Sequence, residues 1–297
     1  MKKYIIYSMT AVFALSAMFI ACKKDKDDKG NNSGIPVTGV TLDPGTLTLM
    51  VDGTATLTAT VLPEDATNKD VTWASDNFDV ATVDNGAVTA KAAGTATITV
   101  TTVDGDKTAT CAVEVYEESV VINGVRWATR NVDMPGTFAA KPEDAGMFYQ
   151  WNRKVGWSST DPMINSDGGT TWGSYTEGYT WEKANDPSPA GYRVPTQAEL
   201  ENLANTTYVT HEWTTKNGVN GFRCTDKATG VSLFLPAAGN RTNNNGSLCF
   251  VGRYGIYWSS TPSGSGKAYD LSLSSDNFAV YNDIRAFGFS VRCVADE

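Results

Sequence analysis

Between residues 36 and 116 apolar and polar side chains alternate with period two, and that alternation limits the fold more than any other feature of the chain. Residues 39–42 (GVTL), 55–61 (ATLTATV), 95–100 (TATITV) and 111–115 (CAVEV) each set Thr or Glu on one face and small or branched apolar residues on the other. Such segments are half-buried strands. Between them stand Asp43-Pro44-Gly45, Asp52-Gly53, Asp84-Asn85-Gly86 and Asp104-Gly105. Gly and Asn tolerate positive φ and Pro presets φ, so these are turns with a mechanism. Short strands punctuated in this way predict an all-β sandwich. Cys111 shares the parity of Val113 and Val115 and reads as a buried thiol acting as a small hydrophobe.

Residues 71–76 (VTWASD), 80–84 (VATVD), 86–90 (GAVTA) and 94–100 (GTATITV) closely resemble the bacterial Ig-like domains of invasin and intimin type. The resemblance covers residues 36–116. It implies a spacer that lifts something else from a cell surface, with Trp73 as the buried core tryptophan.

Beyond residue 117 the composition changes. Trp127, Trp151, Trp157, Trp172, Trp181, Trp213 and Trp258 all lie there, leaving only Trp73 before it. The stretch opens with Val120-Val121-Ile122-Asn123-Gly124-Val125-Arg126-Trp127, a hairpin signature with Asn-Gly at the turn. It closes with Phe289, Val291 and Cys293 on one face of a last strand. Thr196-Gln197-Ala198-Glu199 is a capping box that starts a helix with Leu200, Leu203 and Ala204 on its apolar face. One or two helices among irregular strands predict an α+β domain over 117–297, an ordinary domain size.

Four segments of this region, 123–132 (NGVRWATRNV), 191–196 (GYRVPT), 258–262 (WSSTP) and 288–294 (GFSVRCV), occur in the order seen in the Fibrobacter major paralogous domain, which they resemble. That family is grouped with the C-type lectin-like fold. The resemblance implies that residues 125–131 lie beside 289–294, and that a long looping insertion before the last strand faces the ligand. The GYRVPT segment is also similar to the formylglycine-generating enzymes, but no cysteine pair is placed as theirs are, and a shared fold does not carry chemistry. The Glu-Pro-Asn and Trp-Asn-Asp calcium motifs of sugar-binding C-type lectins are missing from the sequence. Residues 165–169 (NSDGG) lack EF-hand spacing and read as an ordinary turn.

At the other end, Lys2 and Lys3 precede an uncharged apolar run over residues 4–20, followed by Ala21-Cys22. A basic start, an apolar stretch and a small residue at a cleavage point make an export signal over 1–21. Cys22 directly behind it resembles a lipobox cysteine, with Phe19 where Leu is usual. The rival reading, a spanning anchor, needs about 20 apolar residues, and the run is slightly short. Residues 22–35 form a polar tether too hydrophilic to bury. Its Lys-Asp-Asp-rich start resembles the signal that sends Bacteroidetes-type lipoproteins to the outer face of the outer membrane; the plainer reading is a charged linker.

Formal net charge is -9, and loss of Lys2 and Lys3 with the leader takes it to -11. Acidity of this kind argues against a nucleic-acid partner, which needs clustered Lys and Arg. His211 is the single histidine, so His-rich metal sites are excluded and any Ser-His-Asp relay would have to run through it, with no GxSxG motif present. A strand histidine satisfied by a backbone bond is the expectation. Cys224, Cys249 and Cys293 show no CxxC pattern, and disulfide pairing among them is left open. No cofactor, no metal and no enzymatic activity are expected.

From Ala228 to Val294 there is no Glu, Gln or Met, and only Lys267 and Trp258 of their types. These five residue types have no codon ending in C or T, so the stretch matches a target of a diversity-generating retroelement that rewrites adenines. The alternative is that strand- and turn-rich segments are simply poor in such residues. On the first reading Trp258, Tyr269, Leu271, Gly288, Phe289 and Val291 are the fixed frame. Arg253, Tyr254, Ile256, Tyr257, Asp276, Asn277, Phe278, Tyr281, Asn282 and Asp283 are the expected ligand-binding positions, since Tyr with short polar residues suits a recognition surface. A second surface, Phe148, Tyr149, Trp151, Trp157, Trp172, Tyr175, Tyr179 and Trp181, either stacks on sugars or is core; burial is favoured. The chain therefore reads as a surface lipoprotein, an adhesin or receptor for a protein or glycan, with pilus subunits as further partners. Competing readings are a structural envelope or pilus accessory protein and, least favoured, a glycan-active enzyme.

Overall fold

The computed structural model describes residues 34–173 and 180–296. The leader, Cys22, Tyr175 and Tyr179 lie outside the described residues. Nine strands come first: β1 Gly39–Asp43, β2 Thr46–Met50, β3 Thr54–Thr56, β4 Thr58–Leu62, β5 Val71–Ser75, β6 Ala81–Asp84, β7 Ala87–Ala90, β8 Gly94–Thr102 and β9 Thr108–Tyr116. The order β2-β9-β8-β5 makes a four-stranded sheet in which β2 runs parallel to β9. Strands β3-β7-β6 and the pair β1-β4 form the opposing layer. Between the layers Leu57, Val88, Ile98, Cys111, Val113 and Val115 are buried, so the period-two faces point where their apolar content requires.

Two local expectations change. The single strand expected over 55–61 is two: the Leu57 N–H turns to Gly86 O (2.8 Å), and the chain passes from β7 to β1 as its partner. Trp73 is half-buried at the margin of this core, not at its centre, because Val88 and Ile98 already fill the middle. At the β6–β7 hairpin Asn85 (φ 47) and Gly86 (φ 85) both take positive φ, the conformation the Asn-Gly pair is suited to.

The rest is also nearly all β. Its elements are β10 Ser119–Ile122, β11 Val125–Ala128, β12 Phe148–Tyr149, β13 Gly156–Trp157, β14 Tyr192–Arg193, α1 Gln197–Leu203, β15 Val209–Lys216, β16 Val219–Asp226 and β17 Ser232–Pro236. Then follow β18 Asn240–Arg241, β19 Leu248–Cys249, β20 Gly255–Pro262, β21 Lys267–Ser274, β22 Asn277–Ile284 and β23 Val294–Ala295. The expected α+β class is corrected to nearly all β: among the described residues this half has one seven-residue α-helix and a 3-10 turn at Lys183–Asn185. Only the stretch after Thr196 carries helical spacing; the residues of β15–β17 and β20–β22 alternate and bury their apolar sides as sheets.

The helix starts as its sequence dictates. Thr196 Oγ1 accepts from Glu199 N (3.3 Å), and Glu199 Oε2 accepts from Thr196 N (2.7 Å). Glu199 also takes a forked pair of bonds from Arg193 at 2.9 and 2.7 Å. Thr196→Ala is expected to cost about 1 kcal/mol, read as a lower urea midpoint at unchanged slope.

The first and last strands of this half meet as expected: Trp127 pairs with Val294, and Val132 N donates to Val291 O (2.9 Å). The four-stranded order is β10-β11-β23-β14. The main core lies between this sheet, α1, β15-β16-β17 and β20-β21-β22, and holds Trp127, Leu200, Leu203, Phe222, Leu235, Tyr257, Leu271 and Leu273. Long loops are fixed by buried arginines. Arg241 donates to Ser158 O (2.8 Å), Gly246 O (2.7 Å) and Thr160 O (2.7 Å). Arg292 donates to Asn131 Oδ1 (2.9 Å), and burial holds its guanidinium down to about 10. Cys111, Cys224, Cys249 and Cys293 are unbridged.

The two halves touch along one seam. Lys216 pairs with the Glu114 carboxylate of β9, Asn217 Nδ2 donates to Glu114 Oε2 (3.2 Å), and Tyr116 OH donates to Ala140 O (2.7 Å). Arg130 lies over the rings of both Tyr116 and Phe138.

Candidate functional site

The expected recognition residues fall on and beside the sheet β20-β21-β22. Strands β21 and β22 are joined at Ser274–Asn277, where Asp276 Oδ1 accepts from Ser274 Oγ (2.7 Å). Their register is continuous over eight pairs, from Ser274 opposite Asn277 to Lys267 opposite Ile284. Cross-strand partners share a face. Leu273, Phe278, Leu271, Val280 and Tyr257 therefore face the main core, while Ser272, Ala279, Asp270, Tyr281, Ala268 and Asp283 face the other way.

That parity sorts the expected site. Asn277, Tyr281 and Asp283 share one face of β22; Tyr281 is 49% exposed, and its OH donates to Asn277 Oδ1 (3.1 Å). Tyr254 is 38% exposed, with its ring edge-on to Phe250, and it leads into β20 at the end of the sheet where Asn277 stands. Arg253 and Asp276 are also exposed. Ile256 is half-buried against the Trp151–Trp258–Phe289 cluster.

Three members do not belong to this surface. Tyr257 is buried and donates its hydroxyl to Pro236 O (2.6 Å), because its parity is that of Leu271. Phe278 stacks on His211 with ring centroids 4.3 Å apart and packs on Phe222, so it is core. Asn282 is exposed but on the opposite side of β22, where its Oδ1 accepts from Lys267 Nζ (3.4 Å). Of the expected frame, Trp258, Leu271, Gly288, Phe289 and Val291 are buried and Tyr269 is half-buried.

His211, at the edge of the same core, has Nε2 2.8 Å from Leu203 O, and burial lowers its pKa. It is a satisfied strand histidine. Asn165 Oδ1 accepts from Asp167 N (3.0 Å) and Gly169 N (2.7 Å), which makes 165–169 a turn whose side chain is already committed. Among the described residues no group of three or more His, Cys, Asp or Glu is placed to hold a metal ion.

Sequence reasoning missed Asp270. It is fully buried on the central strand, opposite Tyr281 and on the same face, and neither carboxyl oxygen has a hydrogen-bond partner. Burial, with the Asp283 carboxylate beside it, pushes its pKa up to about 8; Lys267 offsets this in part. Burial likewise raises Asp283. The available signal was an Asp between the framing residues Tyr269 and Leu271, a residue type depleted from strands.

Also unforeseen is a cleft of about 590 Å³ lined by Trp181, Tyr192, Arg193, Ser260, Thr261 and Asp296. It gathers the GYRVPT and WSSTP segments, which Ser260 N joins by donating to Pro195 O (2.7 Å). Of the aromatic group, Phe148, Tyr149, Trp151 and Trp157 are buried, with Trp172 and Trp181 half-buried, so that group is principally core.

Residues 36–113 match the family described as bacterial Ig-like domain (group 2). The N-terminal sandwich is Ig-like. Residues 213–294, which include β20–β22, match a family described as a domain of unknown function (DUF8237). No curated protein matches the chain. Among solved structures it is similar to surface layer protein SbsC, domains 1-6, at 15% identity and TM-score 0.25, over 66% of this chain and 23% of that one. It is also similar to the S-layer protein rSbsC(31-844) at 13% identity and TM-score 0.24, over 83% of this chain and 25% of that one. The chain thus spans about a quarter of the length of these two relatives.

Proposed function

We propose that this protein is a cell-surface binding protein, in which the Ig-like sandwich carries a C-terminal head that displays a recognition face on β20-β21-β22. The observation that carries this reading is a gradient along one face of that sheet: Trp258, packed on Phe289, is buried on the inner strand, while Tyr281, with Asn277 and Asp283 on the same side of the last strand, opens to solvent. An exposed Tyr held by an Asn supplies contact area at low entropic cost.

In this reading Cys22 bears the lipid, residues 22–35 are the tether, and the protein stands on the outer face of an outer membrane. The head is the C-type lectin-like member of the assembly by its four sequence anchors, and the tail from Ala228 is the segment that varies. Its ligand is a protein or glycan on another surface. The role is binding and not catalysis; in support, the single histidine is spent on Leu203 O.

The test is a binding screen of the full chain against arrayed glycans and intact cells. Tyr281→Ala and Arg253→Ala are expected to weaken capture at least about tenfold, as a central aromatic or Arg anchor does. Stability should move by less than about 0.5 kcal/mol, as at other exposed positions. Unchanged capture by both variants would remove this face from the proposal, and no capture at all would favour a structural envelope or pilus accessory role.

A further inference from the structure

Strand β22 ends its sheet with an unpaired side. It runs eight residues without a bulge and pairs only with β21; among the described residues its outer backbone groups meet no other strand, and only Ile284 O, at its end, accepts from a loop amide, Phe287 N (3.0 Å). Proteins ordinarily blunt such edges with charge, proline, bulges or cover. The other edge of this same sheet is covered, since Ser290 N donates to Ile256 O (3.0 Å) and Trp258 N to Ser290 O (3.1 Å). The outer strand of the neighbouring sheet, β15, carries Glu212 and Lys216, and at its far side β17 ends in Pro236. Strand β22 (NFAVYNDI) has neither Lys nor Pro, and its one charged residue is Asp283.

We propose that β22 is a self-association edge, through which two copies of the chain pair antiparallel and join their three-stranded sheets into one of six strands. A two-fold axis that relates antiparallel edge strands stands perpendicular to the sheet, so opposed residues must share a face. That restricts the registers to those centred on a residue.

Centred on Val280, the pairs are Asn277 with Asp283, Phe278 with Asn282, Ala279 with Tyr281, and Val280 with its own copy. The Asn277 amide then meets the Asp283 carboxylate, the exposed Tyr281 ring lies over the Ala279 methyl group, and the centre is a branched pair of the kind strands favour. No like charges oppose. Centring on Tyr281 instead sets Asp283 against Ala279 and leaves both the carboxylate and the Asn277 amide without a partner across the interface. Of these two registers the strand is complementary to itself in the one centred on Val280.

One strand edge buries less than the ~1,200 Å² of a stable interface, so the dimer should be weak, with a Kd on the order of micromolar. This goes beyond the ligand-binding reading and is measured without a ligand, so either can fail alone. Sedimentation of the full chain from about 1 to about 500 μM should show a monomer–dimer equilibrium. Ala279→Lys should abolish it while near-UV circular dichroism stays unchanged.

Register is read by cross-linking. The double variant Asn277→Cys/Asp283→Cys should give an intermolecular disulfide on mild oxidation, whereas Asn282→Cys, placed opposite Phe278, should not. A monomer throughout the range, or a dimer that survives Ala279→Lys, overturns the proposal. A dimer that cross-links through Asn282→Cys but not through the double variant overturns the register and with it the self-complementarity on which the proposal stands.

Discussion

Trp258→Ala is expected to cost about 5 kcal/mol, enough to unfold the C-terminal half at ordinary temperature. Trp258 is fully buried, lies 4.3 Å from Phe289 between ring centroids, and packs with Trp151 and Ala268. Its Nε1 donates to Tyr149 O (2.8 Å), while the Trp151 Nε1 donates to Ser259 O (2.8 Å), so the two indoles fasten β12 and its flank to β20. Truncation opens a large cavity and leaves the Tyr149 carbonyl without its donor, and the two penalties add. Near-UV circular dichroism and urea titration would show the loss. Trp258→Phe should recover roughly half, because ring volume returns but the hydrogen bond does not. A Trp258→Ala protein within about 1 kcal/mol of its parent would mean that this cluster does not hold the head together.

Asp270→Asn is expected to remove a pH dependence that the parent shows across the neutral range. The folded-state pKa of Asp270 stands near 8 against an ordinary 3.8. Between those values the folded chain keeps a proton that the unfolded chain releases, so stability falls as pH rises and levels off above about 8. The stability linked to this proton is thus fully present below about pH 4 and lost by about pH 9; from the size of the shift it amounts to roughly 4–6 kcal/mol. Asparagine is uncharged at both ends of the window and equally without partners, so the variant should match its parent at pH 4. At pH 9 it should be more stable by several kcal/mol. Urea midpoints at pH 4, 6.5 and 9 decide the matter, and parallel curves for the two proteins would clear Asp270 of the effect. Asp283→Asn should shift the parent's transition to lower pH, since it takes away the carboxylate that raises Asp270.

Much of the fold was legible. Alternation located the sandwich strands, Asn-Gly located the hairpin at Asn123 (φ 47) and Gly124 (φ 79), and the capping box located the only α-helix among the described residues. Local chemistry fixes these features and sequence displays it. The site was less legible because β20 and β21 are buried on both sides: Tyr257, Leu271 and Leu273 fill one core, Trp258 and Ala268 another. Period two announces two faces, but where both are covered it cannot say which opens to solvent. Tyr257 and Phe278 were therefore read as surface, and Asp270 went unseen. Nor could composition reveal that β23 lies between β11 and β14, since that order depends on contacts across more than a hundred residues of sequence.

The placement of β23 also determines how the head bears tension. A pull delivered through the Ig-like sandwich leaves β9, crosses Glu117 and Glu118, and enters the β10-β11 hairpin, whose neighbour is the chain's final strand. Traction is thus taken up at once where the two ends of the head are laced side by side, with the seam at Glu114 and Tyr116 sharing the strain. The sheet bearing Tyr281 is separate from the one that first takes the load, so the opening turn of the C-terminal half can yield without unpairing β20, β21 and β22.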